Sequence, residues 1–326
     1  MTPIISVQNL IKTYKIHKKD PGFMGSIKSL VKRRYETVHA VKDISFDIHP
    51  GELVGFIGPN GAGKTTTLKC LSGLLYPSGG KVDVLGFTPF QRKTTFLKQI
   101  ALVMGQKNQL WWDLPPTETF LLNKAIYEIP DKRYKETLND LVELLDVTDV
   151  LNVQVRKLSL GQRMKCELIA ALLHSPKVLF LDEPTIGLDV VMQKKLRDFL
   201  KEYNKKYGAT IILTSHYMED VRQLCERVIV IDHGALLFDG KLDALVKEYT
   251  KYKLITVVFN KEVPLEKLEK LGQIKEHDSS KAVLSIKKED SNRITSKLLK
   301  DFPVEDLNIQ EPDIEDIIRE VFSKKV

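Results

Sequence analysis

The chain has 326 residues, a formal net charge of +7 and 43% hydrophobic residues, enough apolar side chain to build more than one domain core. With 29% charged residues and ordinary glycine and proline counts, the composition argues for a folded soluble chain over a disordered one. The three cysteines, Cys70, Cys166 and Cys225, are scattered and odd in number, which argues against a disulfide or zinc framework and for reduced thiols.

The opening MTPIISVQNL lacks the basic and apolar regions of a secretory signal. No apolar run approaches the roughly 18–20 residues that span a bilayer, so a membrane role would need a partner. Residues 15–34, KIHKKDPGFMGSIKSLVKRR, carry seven Lys/Arg against one Asp. Such a stretch suits anionic lipid or nucleic acid, and equally a solvated surface insertion.

VKDISFDI (41–48) alternates polar and apolar residues, the pattern of a half-exposed antiparallel strand. ELVGFIG (52–58) is a continuous apolar run that suits a parallel strand buried on both faces. GPNGAGKTT follows it, comprising Gly58, Pro59, Asn60, Gly61, Ala62, Gly63, Lys64, Thr65 and Thr66, and a helical TTLKCLSGLL comes next. The match to GxxxxGK[ST] between a strand and a helix predicts a phosphate loop. Its glycines let successive backbone N–H groups turn inward as an anion nest at a helix amino terminus. Lys64 can reach β- and γ-phosphates, and the Thr65 hydroxyl can ligate Mg²⁺. PSGG (77–80) marks a turn before KVDVL (81–85), a second alternating strand.

Residues 107–175 read as a helical block set into an α/β core. NQLWWDLPP (108–116) brings Trp111 and Trp112 side by side, and Thr117 is expected to cap a helix over ETFLLNKAIYEI. A second helix covers RYKETLNDLVELL after Pro130. KLSLGQ then places Ser159, Gly161 and Gln162 directly ahead of an apolar helical run, with neither nucleophile nor metal spacing beside them.

VLFLDEP (178–184) buries a strand whose end delivers Asp182 and Glu183. A carboxylate at a strand's carboxyl end beside a phosphate loop is where a magnesium ligand belongs, and Glu183 can polarise an attacking water. TIILTS (210–215) is a third buried strand. Beyond residue 245, LITVVF, PLEKLEKL, QIKEH, AVLSIK, NRITSKLLKDF and VEDLNI read as strand, helix, strand, strand, helix, strand, the split βαβ order of a ferredoxin-like unit. An amphipathic DIEDIIREVF closes the chain.

Five ordered motifs, GPNGAGKTT, the glutamine of MGQKNQ, LSLGQ, LDEPTIGLD and TSHYMED, resemble the nucleotide-binding subunit of an ATP-binding cassette (ABC) transporter over about residues 4–245. The carboxyl-terminal unit resembles that of cassettes serving ABC-2 type exporters. The resemblance implies an α/β fold: a P-loop NTPase core of the ABC ATPase type with an antiparallel β flank and a helical subdomain at about 107–175. Residues 1–245 would form that ATPase domain, and 246–326 a small α+β accessory domain.

The resemblance also implies roles for single residues. Gln106 would contact Mg²⁺ or the attacking water, His216 the γ-phosphate, and Tyr14 the adenine, with Tyr35 a possible substitute. Ser159, Gly161, Gln162 and Asp189 would contact a nucleotide bound to another chain. Trp111 and Trp112 would face a membrane partner. The family pattern has glycine where this chain has Leu160, whose side chain is expected to point away from the nucleotide.

The implied activity is hydrolysis of ATP with Mg²⁺, coupled to transport. The implied partners are ABC-2 type transmembrane permease subunits and a second copy or related ATPase subunit, on the cytoplasmic face of the cell membrane. No nucleic acid partner is expected; a soluble ABC ATPase acting on ribosomes or nucleic acid is the alternative.

Overall fold

The computed structural model describes residues 2–18, 34–105, 107–215, 217–249, 252–312 and 316–318. Gln106, His216, residues 19–33 of the basic stretch and most of the closing segment 313–322 lie outside these residues. The chain divides into two compact units, Met1–Gly240 and Lys241–Val326.

The described strands of the first unit are β1 (Ile5–Lys18), β2 (Arg34–Ile48), β3 (Leu53–Ile57), β4 (Gly79–Val84), β5 (Ile100–Met104), β6 (Val178–Asp182), β7 (Thr210–Thr214), β8 (Arg227–Asp232) and β9 (Ala235–Lys241). Six of them form one sheet in the order β5-β6-β7-β3-β8-β9, and β5 through β8 pair in parallel. β6 and β7 have continuous apolar centres, Val178–Leu181 and Ile211–Leu213, because both sheet faces are covered, and all five residues of β7 are buried. Parallel pairing has a functional consequence. The carboxyl ends of β3, β5, β6 and β7 emerge at the same edge, so residues 58, 105, 183 and 215 begin loops that share one crevice.

β1, β2 and β4 form a separate antiparallel sheet, order β2-β1-β4. Its inward residues Ile5, Val7, Leu10, Val41 and Phe46 join Val54, Phe56, Leu68 and Leu71 in one apolar core. Burying each of the larger side chains contributes about 1.5–3 kcal/mol.

The helical block contains helices Pro116–Ile126, Asp131–Leu145 and Leu160–Leu172. The first begins at Pro116 with Pro115 as its cap residue, so Thr117 lies inside the first turn and does not cap it. Proline's fixed φ and missing N–H suit the first helical position. The second helix buries Tyr134, Thr137, Leu141 and Leu145, a stripe at helical spacing.

In the second unit, β10 (Tyr252–Phe259), β11 (Gln273–His277), β12 (Lys281–Lys287) and β13 (Val304–Gln310) form an antiparallel sheet in the order β11-β12-β10-β13. Helices Leu265–Glu269 and Ser291–Asp301 connect its strands in the split βαβ manner. Ile255, Val257 and Phe259 alternate into a core with Ala282, Leu284, Ile286, Ile294 and Leu298.

Candidate functional site

β3 ends at Ile57, and the loop beginning at Gly58 runs into helix Lys64–Leu71. Two of its glycines are sterically required. A Cβ on Gly58 would stand 2.2 Å from Ile231 O, and one on Gly63 would stand 2.4 Å from Ala40 O. Gly63 also holds φ at 106° as the residue ahead of the helix, a conformation L side chains rarely take. Asn60 and Gly61 form the exposed tip, Ala62 is buried beneath it, and Thr66 lies half-buried in the first turn.

Lys64 is 5% exposed and folds back over its own loop. Its Nζ donates to Gly58 O at 2.7 Å and Pro59 O at 3.1 Å. Burial lowers its pKa, opposed by the negative charges of Glu183 and then Asp182. The ammonium is thus held in the loop's concavity, where a polyphosphate would meet it.

Beneath the loop, Thr65 Oγ1 lies 3.0 and 2.8 Å from Asp182 Oδ1 and Oδ2. Thr214, at the end of β7, donates from Oγ1 to Asp182 Oδ1 at 2.8 Å. The same hydroxyl accepts the Glu183 backbone N–H at 3.0 Å. Asp182 is oriented by hydroxyls from two elements, and Glu183 is turned by φ of 55°, an uncommon conformation for glutamate. Gly105, one residue ahead of Gln106, donates to Asp182 O at 2.9 Å. Thr65 Oγ1 and the Asp182 carboxylate are hard oxygen donors on adjoining elements, which fits Mg²⁺, an ion held by one or two protein oxygens plus substrate phosphates. Among the described residues no group of three or more His, Cys, Asp or Glu offers an all-protein metal cage.

Ser159 caps helix Leu160–Leu172 through a capping box. Gln162 N donates to Ser159 Oγ at 3.2 Å, and Ser159 N donates to Gln162 Oε1 at 2.9 Å. Leu160 is 37% exposed. Its Cδ2 leans on the chain's own Gly187, within 2.9 Å of where a Cβ there would be. Asp189 caps helix Val190–Tyr207, its Oδ1 accepting from Met192 N at 2.9 Å.

Tyr14 lies on β1 opposite Val38 of β2, two residues from the Ala40 carbonyl that abuts Gly63. Lys12 Nζ stands 5.0 Å from its ring centroid. Tyr35 is 59% exposed. Trp111 and Trp112 are both about half exposed at 56% and 50%, whereas Leu110 before them is buried.

Sequence reading missed a buried polar network behind the site. Asp220 Oδ1 accepts from Arg197 at 2.7 Å, and its Oδ2 accepts from Thr185 Oγ1 at 2.6 Å and Ser215 Oγ at 2.8 Å. Tyr217 N donates to Ser215 Oγ at 2.9 Å. The network joins the loop after Glu183, the helix after Asp189 and both neighbours of His216. Charged pairs so deeply buried survive only when every partner is supplied.

An anion cradle at a helix amino terminus, fed by a buried lysine and floored by an acid–hydroxyl pair, serves nucleoside triphosphate binding and hydrolysis on a P-loop core. Residues 41–186 match the family described as ABC transporter, and residues 251–310 the EvrA-like ABC transporter, C-terminal domain. The chain is 34% identical over 210 residues to the ABC transporter ATP-binding protein NatA of Bacillus subtilis (strain 168), spanning 64% of this chain and 85% of that one. It is 32% identical over 231 residues to the Nod factor export ATP-binding protein I of Rhizobium sp. (strain N33), spanning 70% and 74%. The chain belongs to the family of ABC transporter ATP-binding proteins and is an ATPase subunit. Its fold is also similar to a dimeric structure of a post-hydrolysis state of the ATP-binding cassette MJ0796 bound to ADP and Pi, with a TM-score of 0.61 at 24% identity, covering 73% of this chain and 98% of that one. Nothing in these likenesses supports a soluble ATPase acting on ribosomes or nucleic acid.

Proposed function

We propose that this chain is the motor of an ABC-2 type exporter, hydrolysing ATP on the cytoplasmic face of the cell membrane while held there by separate permease subunits. The observation that carries the chemistry is the Thr65–Asp182 contact directly beneath the phosphate loop. Export is supported by the likeness to the Nod factor export protein. Among the described residues no helix is long and apolar enough to cross a membrane, which suits a division of labour with membrane subunits.

In this reading, the ATPase domain spans residues 1–245 and the accessory domain 246–326. Lys64 exchanges its loop carbonyls for β- and γ-phosphate oxygens, and the loop N–H groups of 58–66 hold the rest. Thr65 and Asp182, with Gln106, would hold Mg²⁺, which when bound neutralises charge developing on the phosphates. Glu183 takes the proton of the attacking water, His216 contacts the γ-phosphate, and Tyr14 stacks on the base. Ser159, Gly161, Gln162 and Asp189 complete the site of a second copy. Trp111 and Trp112 seat against the permease.

The test is an ATP-loaded pull-down of tagged Glu183→Gln from gently solubilised membranes, followed by mass spectrometry. A polytopic membrane protein in near-equal amount, with ATP retained and turnover lost by about a hundredfold or more, is the expected outcome. Recovery of ribosomal proteins or nucleic acid in its place would overturn the transporter reading, and retained turnover would remove Glu183 from the role of base.

A further inference from the structure

Glu167 stands two turns into the signature helix Leu160–Leu172 and is 1% exposed. Its Oε1 accepts the Gln109 backbone N–H at a long 3.4 Å and lies 3.6 Å from Arg163 Nε, while its Oε2 is buried with no partner. A carboxyl so deeply buried and so loosely held lowers stability, and none of the phosphate-site contacts uses it.

What it touches gives the position meaning. Gln109 lies between Gln106 and the exposed Trp111 and Trp112, and its side chain donates to Leu102 O of β5 at 3.0 Å. Further along the same segment, Arg156 N donates to Trp112 O at 3.0 Å and Val155 N to Leu114 O at 3.1 Å. The 109–114 segment is therefore stitched to the signature region at two places: just ahead of Ser159, and at Glu167. The second lies eight residues along the helix, roughly 12 Å at 1.5 Å per residue.

We propose that Glu167 is a positioning residue whose carboxyl ties the segment following Gln106 to the signature helix, so that displacement of the Trp111–Trp112 loop is delivered to Ser159. The inference rests on the transporter reading above. An Oε1 acceptor is present whether the carboxyl is ionised or protonated. Glutamine therefore preserves the tie, whereas leucine keeps the volume and loses the acceptor. The phosphate loop is built by other elements, so binding of nucleotide to a single chain is independent of residue 167.

The experiment compares wild-type, Glu167→Gln and Glu167→Leu chains in steady-state ATPase assays, in nucleotide titrations at concentrations that keep the chain monomeric, and in residue-resolved amide exchange. Glu167→Leu is expected to lower kcat by about tenfold or more with nucleotide affinity within about twofold, and Glu167→Gln to restore kcat to within about twofold. Gln109 should exchange more slowly than Asn108 in the wild type and the glutamine variant, and lose that protection in the leucine variant. Leucine with wild-type kcat, or glutamine as impaired as leucine, overturns the tie. Should the leucine variant fail to fold, a wild-type Gln109 amide exchanging as fast as Asn108 overturns it, and a protected one together with an active glutamine variant supports it. The pull-down separates the two claims: with a polytopic membrane protein recovered there, these failures remove the tie alone, and without one the transporter reading falls and the proposal with it.

Discussion

Glu167 and Asp220 show how two buried carboxyls in one unit meet opposite conditions. Asp220 is surrounded by Arg197, Thr185 and Ser215 and keeps an ion pair in the interior. Glu167 has only long contacts, and burial pushes its pKa from 4.5 up to about 7, against the smaller opposing pulls of the Gln109 N–H and Arg163. Its folded pKa stands above its unfolded one, so the native state binds more protons between about pH 4.5 and 7, and stability falls as pH rises through that window. At about 1.4 kcal/mol per pH unit the loss is on the order of 3 kcal/mol and is complete above pH 7. Glu167→Gln removes this dependence. Urea midpoints should be nearly equal for the two chains at pH 4, with the variant the more stable at pH 8; the same difference at both pH values would refute the assignment. Neither carboxyl was legible in the sequence. A charged residue on a helix reads as a solvated face, and what buries these two comes from segments far away in the chain. The phosphate loop and the Asp182–Glu183 pair, by contrast, were legible, because local spacing and flanking elements specify them.

The capping box of the signature helix lets one hydroxyl serve two purposes. Ser159 Oγ accepts from Gln162 N, and its own proton remains available to a phosphate oxygen, since a hydroxyl both donates and accepts. Aspartate caps a helix about as well as serine, yet it would set a negative charge against the γ-phosphate. Ser159→Asp should keep the unfolding free energy in urea within about 0.5 kcal/mol of wild type and abolish ATP-dependent dimerisation in a Glu183→Gln background, as read by size-exclusion chromatography. A surviving ATP-dependent dimer would sink the trans role of Ser159. Leu160, leaning on Gly187, leads to a milder expectation for Leu160→Gly: steady-state turnover within about tenfold of wild type. A rise by orders of magnitude would mean that the leucine obstructs the nucleotide. Among elements, the buried runs of β3, β6 and β7, the alternating 41–48 part of β2, the alternating β4 and the strand succession β10–β13 were readable from pattern. β1 was not, because register shifts between Val7 and Thr13 break its alternation. β5 and β8 are short apolar runs that fit a buried strand or helix alike. Thr117 does not cap because the helix starts at Pro116, two residues ahead of the expected Glu118.

At the scale of the molecule, strand order in the second unit followed from the split βαβ succession, since that topology admits few arrangements. The assembled active site is a different matter. One chain carries a single phosphate loop and a single signature helix, and the proposed reading has each loop closed by the signature of another copy, a twofold arrangement that makes the defects separable. Lys64→Ala damages the loop and spares the signature; Ser159→Asp spares the loop and damages the signature. Each variant alone should be inactive, because every site in its homodimer carries the same defect. Mixed in equal amounts and held in pairs by the permease subunits, the chains give about half mixed pairs, and in each of these one site joins an intact loop to an intact signature. Turnover should therefore recover to about a quarter of wild type if the two sites act independently. Measuring ATP hydrolysis of the mixture against its components decides the matter. Substantial activity in the Ser159→Asp chain by itself would show that the signature is not required from a partner. A mixture as inactive as its components would show that one complete site cannot turn over beside a dead one.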